Sequence, residues 1–284
     1  MKKSKIKNFI ILLLALVNVF LLIIVVSNAG EAAASRNYRK QAMVEVLSAN
    51  GIAFNMKGDL PEAVPKEIYL RRDLKNEKKL ISALIGDCSA EDQGGNIILY
   101  LGEKGQAGFY GTGYFKISLD GIVIPKGNDA VSSAKSALKR LGISPSNAPP
   151  RVRENGDTTN VTISCAYDGC QVYNSEVTFS FNSQRLVIIE GTRPLDTEYS
   201  SKAYQKYPDS VTVLMSFLRS IGQTGEVCSE IKDMKLAYSM EIAVSGDCSL
   251  RPVWDISTDV GSYYVDALTG KPEKKESVRP TDDK

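Results

Sequence analysis

Residues Phe9 to Val26 form an apolar run of 18 residues interrupted by one polar side chain, Asn18. A helix rises about 1.5 Å per residue, so the run reaches roughly 27 Å, close to the thickness of a bilayer core. Lys2, Lys3, Lys5 and Lys7 precede it and are the only charged residues before Glu31. A basic flank stays cytoplasmic, which places the rest of the chain outside. The expectation is an uncleaved signal anchor over residues 9–27 with a basic tip at 1–8. The competing reading is a cleaved signal peptide, with Ala32 to Ser35 as small cleavage-site residues. Its apolar region, however, usually runs about 7–15 residues. Within the run, Leu14, Asn18, Leu21, Leu22 and Val25 share one helical face. That face is a candidate for packing against another membrane helix, with the Asn18 amide as a hydrogen-bonding group.

Chemistry beyond the run is limited by composition. The 284 residues include no histidine, so a Ser-His-Asp triad, a Cys-His pair and a histidine pH switch are excluded. The whole chain carries a formal charge of +2, and the body beyond the four N-terminal lysines is slightly acidic. Such a body has no electrostatic footprint for nucleic acid. Cys88, Cys165, Cys170, Cys228 and Cys248 all fall on the outer side, where disulfides form. Cys165 and Cys170 flank an Asp-Gly turn, so a bridge across a hairpin is one pairing. Cys228 with Cys248, and Cys170 with Cys248, are the others. The alternative is that some or all are reduced and buried. No CxxC pair accompanies them, which argues against zinc, and no cofactor is expected.

The periodicities predict an α+β body. Helices are expected at 31–50, ending on Asn50-Gly51, and at 76–85, with Leu80, Leu84 and Ile85 on the apolar face. Strands at 96–101 and 113–119 flank a stretch with Gly102, Gly105, Gly108 and Gly111. It lacks GxxxxGK[ST] and precedes a strand, so it reads as a flexible hairpin and not a phosphate loop. These elements make an N-terminal unit over 28–127. Residues 128–270 carry a weak internal repeat. An amphipathic helix at 129–141 and another at 209–221 are each followed by three alternating strands. Gly142 and Gly222 close the two helices, and Cys170 and Cys248 fall between strands in each unit. The expected architecture is helix plus antiparallel sheet, twice. The polar tail 271–284 is expected to be disordered.

Two stretches carry a resemblance. Arg251 to Gly270 contains a strand with Trp254, a turn, and Tyr264-Val-Asp-Ala-Leu-Thr-Gly270, and is similar to the last hairpin of PepSY-type modules. The layout beginning Lys5-Ile-Lys-Asn-Phe9, with its apolar run and Leu47-Ser-Ala-Asn-Gly-Ile52, resembles the YycI branch of the YycH/YycI proteins of Gram-positive bacteria. The resemblance implies a non-enzymatic regulator with its folded part outside the cell membrane. Its implied partners are a WalK/YycG-type sensor histidine kinase and a YycH-like protein, contacted largely through membrane helices. The alternative is an extracellular PepSY-like module that binds or inhibits a protease or holds a cell-wall ligand. An enzyme would need paired acids such as Asp255, Asp259 or Asp266, or Cys88 as nucleophile. The acids fall in a turn-rich hairpin, and Cys88 has no histidine base.

Overall fold

The computed structural model describes residues 38, 40–56, 64–123, 129–183, 185–192, 197–201, 207–243 and 247–275. The apolar run, the face around Asn18 and Ala32 to Ser35 lie outside the described residues. No helix among the described residues is long and apolar enough to cross a membrane.

The expected α+β chain of separate helix-plus-sheet units is corrected by what forms. Among the described residues sixteen strands join in one continuous sheet, and strand is the dominant element. In chain order the elements are helix α1 (residues 40–49), β1 (Ala53–Phe54), β2 (Ile68–Arg71), α2 (Leu74–Ile85), β3 (Cys88–Asp92), β4 (Ile98–Gly102), β5 (Gly105–Phe109), β6 (Tyr114–Val123) and α3 (Ala130–Arg140). Then come β7 (Ser144–Pro145), β8 (Arg151–Asn155), β9 (Thr158–Tyr167), β10 (Cys170–Asn182), β11 (Arg185–Thr192), β12 (Thr197–Ser201), α4 (Ser210–Gln223), β13 (Glu230–Ile242), β14 (Cys248–Thr258), β15 (Ser262–Asp266) and β16 (Pro272–Lys274).

The sheet has two wings. The first runs β8-β9-β10-β11-β6-β5-β4-β3, all antiparallel. Strand alternation gives it one apolar face, with Val177, Phe179 and Phe181 buried and the intervening residues facing water. Helices α2 and α3 cover that face. Phe109 stacks on Phe115 at 5.4 Å, and Tyr100 meets Phe109 edge-on at 5.7 Å. The second wing centres on β13, β14 and β15, covered by α1 and α4. Met43 and Leu47 of α1 pack there with Phe217, Trp254 and Tyr263.

The two repeat helices begin alike. Asp129 accepts from the Ser132 N–H at 2.6 Å, and Asp209 from the Thr212 N–H at 2.8 Å. Both carboxyls lie below their usual range because those backbone donors favour the charged form.

The sheet is continuous for two reasons. Strand β10 belongs to both wings: Glu176 to Asn182 pair with β9, while Val172 pairs in parallel with Tyr238 of β13. The stretch 28–127 is also divided between the wings. Its α2 and β3 to β6 build the first core, whereas α1, β1 and β2 join the second. A third apolar cluster, with Ile68, Leu70, Val172, Tyr238 and Leu250, fills the junction.

Two local expectations are also corrected. The glycine-rich stretch is not a flexible hairpin, because Gly105 to Phe109 form β5 between β4 and β6. A Cβ on Gly105 would stand 2.2 Å from the Ser118 carbonyl oxygen, so glycine here admits close strand pairing. The tail is ordered through Lys275, with Pro272 to Lys274 paired on β15. Its side chains fasten it: Lys274 pairs with Glu226, Lys275 with Asp255 at 2.6 Å, and Glu273 accepts from the Tyr173 hydroxyl at 2.9 Å.

Candidate functional site

Strand β14 is the frame of the site. Along its full length it pairs with β13 on one edge. Two strands share its other edge, end to end. Residues Cys248 to Leu250 pair with β2, and Val253 to Ser257 pair with β15. Both neighbours run antiparallel to β14, so the start of β2 and the end of β15 converge on Arg251 and Pro252. There they diverge and leave a cavity of about 250 Å³.

The floor of this cavity is Arg251 and Pro252, with Glu67 and Tyr69 on the β2 side. The register that pairs Ile68 with Leu250 sets Glu67 across from Arg251. Glu67 is 7% exposed, and its Oε1 lies 3.4 Å from Arg251 Nε. Arg251 also donates through Nη1 to Glu241 at 3.1 Å, so one guanidinium serves two carboxylates. Asp266, Leu268 and Thr269 form the opposite side, and Tyr207 completes the lining.

The Asp266 to Gly270 segment is a built turn. Asp266 Oδ1 accepts from the N–H groups of Leu268 and Thr269 at 3.0 and 2.7 Å and from the Thr269 hydroxyl at 2.9 Å. Gly270 closes the turn at φ 71°, and a Cβ there would stand 2.6 Å from Ser216 Cβ of α4. The Asp-x-x-Thr-Gly motif therefore ends β15 abruptly and tucks the chain under α4. It also clears the edge of β14 that β2 occupies.

The other carboxylates singled out in the sequence are held by the fold. Asp255 accepts from Lys275, whose ammonium also sits 4.3 Å from the Tyr264 ring centre. Tyr264 stacks on Tyr173 at 3.8 Å. Asp259 accepts from the Ser229 hydroxyl and from the N–H groups of Ser229 and Glu230. These donors, the Ser229 hydroxyl foremost, hold its carboxyl well below the usual range. A depressed folded-state pKa stabilises the fold above the ordinary carboxylate pKa of about 4 and loses that contribution as pH falls below it. The melting temperature is therefore expected to fall between pH 5 and pH 3, and Asp259→Asn to flatten that dependence. A calorimetric series at several pH values checks it. Equal slopes for both proteins would remove the assignment.

None of the five cysteines forms a disulfide. Cys165 lies in the first core, Cys228 in the second, and Cys170 and Cys248 at the junction. The expected pairings are corrected by this placement. Cys165–Cys170 and Cys228–Cys248 would each join different cores. For Cys170 and Cys248, pairing of Val172 with Tyr238 and of Ile242 with Cys248 sets them about six residues apart along the sheet. That is roughly 20 Å, well beyond disulfide reach. Burial pushes the Cys228 thiol up to about 11 and also raises Cys170, which disfavours the thiolate at both. Cys88 is half-buried with its Sγ 3.3 Å from the Ser82 hydroxyl. Among the described residues no three Cys, Asp or Glu side chains group to hold a metal ion.

Of the cavity's residues, Asp266 and Thr269 stand out in the sequence through their motif. Glu67, Tyr69 and Tyr207 do not, because they arrive from segments that nothing local marks as neighbours.

No family model matches the chain, and no curated protein matches it by sequence. Among solved structures, an uncharacterized protein from Eubacterium rectale ATCC 33656 is similar at 10% identity and a TM-score of 0.47, covering 79% of this chain and 91% of that one. The Bacillus megaterium YpeB C-terminal domain is similar at 9% identity and a TM-score of 0.39, covering 73% of this chain and 100% of that domain. Likeness at this level fixes neither fold nor function for this chain.

Proposed function

We propose that the chain is a PepSY-like binding module that works outside the cytoplasmic membrane and holds or inhibits its target, a protease or a cell-wall ligand, by contact. The observation that carries this reading is the cavity at the β2–β14–β15 junction. It is lined by an arginine, two carboxylates and two tyrosines, and it opens to water. Ligand sites combine a concave, partly apolar surface with a few polar groups of this kind. The candidate acids Asp255 and Asp259 lie outside the cavity lining, Asp255 accepting from Lys275 and Asp259 from the N–H groups of Ser229 and Glu230. The outward location is supported by the basic residues Lys2 to Lys7 ahead of the apolar run.

The test uses the full chain in detergent. Retention by purified peptidoglycan sacculi, and slowing of extracellular proteases from the native cell, are measured for the wild type and for Arg251→Ala. Retention or inhibition that Arg251→Ala weakens supports the reading. A chain that neither binds sacculi nor slows any of the proteases sinks it.

A second reading follows from the sequence layout that resembles the YycI branch. In it the body serves a WalK/YycG-type sensor kinase beside a YycH-like protein. Crosslinking in the native cell, read by mass spectrometry, separates the two: recovery of a sensor kinase favours this reading, and recovery of neither partner removes it.

A further inference from the structure

We infer that Asn155 is a self-modification site: the Gly156 backbone nitrogen attacks its side-chain amide, and the residue becomes aspartate or isoaspartate without an enzyme. The inference is independent of the binding reading above.

The reaction joins groups on neighbouring residues. The Gly156 nitrogen adds to Asn155 Cγ and closes a succinimide ring. The Cγ–Nδ2 bond breaks, and ammonia leaves with the Gly156 amide proton. Water then opens the ring. Opening at Cγ gives aspartate. Opening at the main-chain carbonyl carbon of residue 155 gives isoaspartate, whose chain runs through Cγ. In sum, an amide and a water become a carboxylate and an ammonium ion.

The fold leaves both reacting groups open. Asn155 ends β8, Gly156 begins the turn to β9, and both are exposed. Among the described residues neither the Asn155 amide nor the Gly156 N–H has a hydrogen-bond partner. Gly156 lies at φ 57°, and a Cβ there would meet nothing within 4 Å, so no neighbour shields its nitrogen. The extended backbone of Asn155 must rotate to bring the nitrogen to Cγ. Strand β8 buries none of its side chains, and an edge strand of that kind frays at low free energy.

Comparable sites are held. The Asn-Gly pair recurs at Asn50-Gly51. There the Asn50 amide donates to the Val46 carbonyl at 2.7 Å, and the Gly51 N–H donates to the Ser48 carbonyl at 3.0 Å. Asn174, ahead of Ser175, is fixed to the Met240 backbone by bonds of 2.7 and 2.8 Å. Asn182 precedes Ser183, whose N–H donates to the Asp157 carbonyl at 3.0 Å. The fold therefore selects Asn155. Its conversion adds a negative charge between Glu154 and Asp157. The isoaspartyl form also lengthens the backbone by a methylene, which undoes the pairing of residue 155 with Thr158 and loosens β8 from β9.

Peptide mapping by mass spectrometry tests this on the full chain in detergent, aged in warm, mildly alkaline buffer, with a parallel sample unfolded in urea. In the folded chain, deamidation is expected at Asn155 with aspartyl and isoaspartyl products, while Asn50, Asn174 and Asn182 stay intact. In urea, Asn50 is expected to react as fast as Asn155. Asn155→Gln is expected to abolish the reaction, and a thermal melt checks that this variant folds. Hydrogen exchange on the aged protein is expected to show lost protection in β8 alone. An Asn155 that reacts in urea but stays intact in the folded chain overturns the inference, as does equal reaction of Asn50 in the folded chain. Unchanged protection of β8 after conversion overturns the loosening of the strand.

Discussion

Arg72→Ala is expected to destabilise the first wing by about 3–5 kcal/mol, the scale seen when one partner of a buried ion pair is removed. Glu77 is 1% exposed on α2, and Arg72 meets it with two donors, Nε to Oε2 at 2.9 Å and Nη2 to Oε1 at 2.7 Å. The Tyr100 hydroxyl donates to the same carboxylate at 2.9 Å, and burial together with that charge raises the Tyr100 pKa. Arg72 further donates to the carbonyls of Asn96 and Phe109, at 2.5 and 3.3 Å. One side chain therefore ties the start of α2 to the first-wing strands. Without it, the buried Glu77 carboxylate loses two charge-assisted hydrogen bonds. Urea unfolding followed by circular dichroism measures the loss. The double variant Arg72→Met with Glu77→Gln is expected to recover part of it, because no charge is then stranded. A single Arg72→Ala variant as stable as wild type contradicts the role assigned to this network.

Trp254→Ala is expected to cost about 3–5 kcal/mol, whereas Trp254→Phe is expected to cost less than about 1.5 kcal/mol. The side chain is 1% exposed and packs with residues of α1, α4, β13 and β15. Truncation to alanine opens a large cavity that these elements cannot close without moving. The indole N–H has no hydrogen-bond partner among the described residues. Phenylalanine therefore removes a buried, unsatisfied donor while keeping most of the packing. The comparison is made by chemical unfolding followed by circular dichroism, since Trp254 is the chain's single tryptophan. A large loss for the phenylalanine variant would show that the indole nitrogen matters after all.

What the sequence made legible is the local part of this design. The helices at 76–85, 129–141 and 209–221 differ from the observed ones by one or two residues at either end. Their aspartate caps and apolar spacing act within a few residues of one another. The alternating strands of the repeat were legible for the same reason. The misread elements depend on distant partners. Strand β2 is four residues long, and its pairing partner near residue 250 is far along the chain. Strand β5 carries two glycines in five residues, a composition that signals a turn until two flanking strands enclose it. Strand β16 is polar and short, and it is held by side chains that reach back to Glu226 and Asp255. The cavity was legible only through Asp266 and Thr269. Glu67 and Arg251 meet through strand register, a property of the assembled sheet.

The insertion of β2 beside β14 also has a consequence in time. Ile68 pairs with Leu250, and Ala53 with Glu230. Contacts of such long sequence separation close late, because loop entropy must be overcome before they form. The N-terminal strands have no edge to join until most of the chain has been synthesised. The second wing therefore closes late in folding, and until then the strands that complete it stay unpaired.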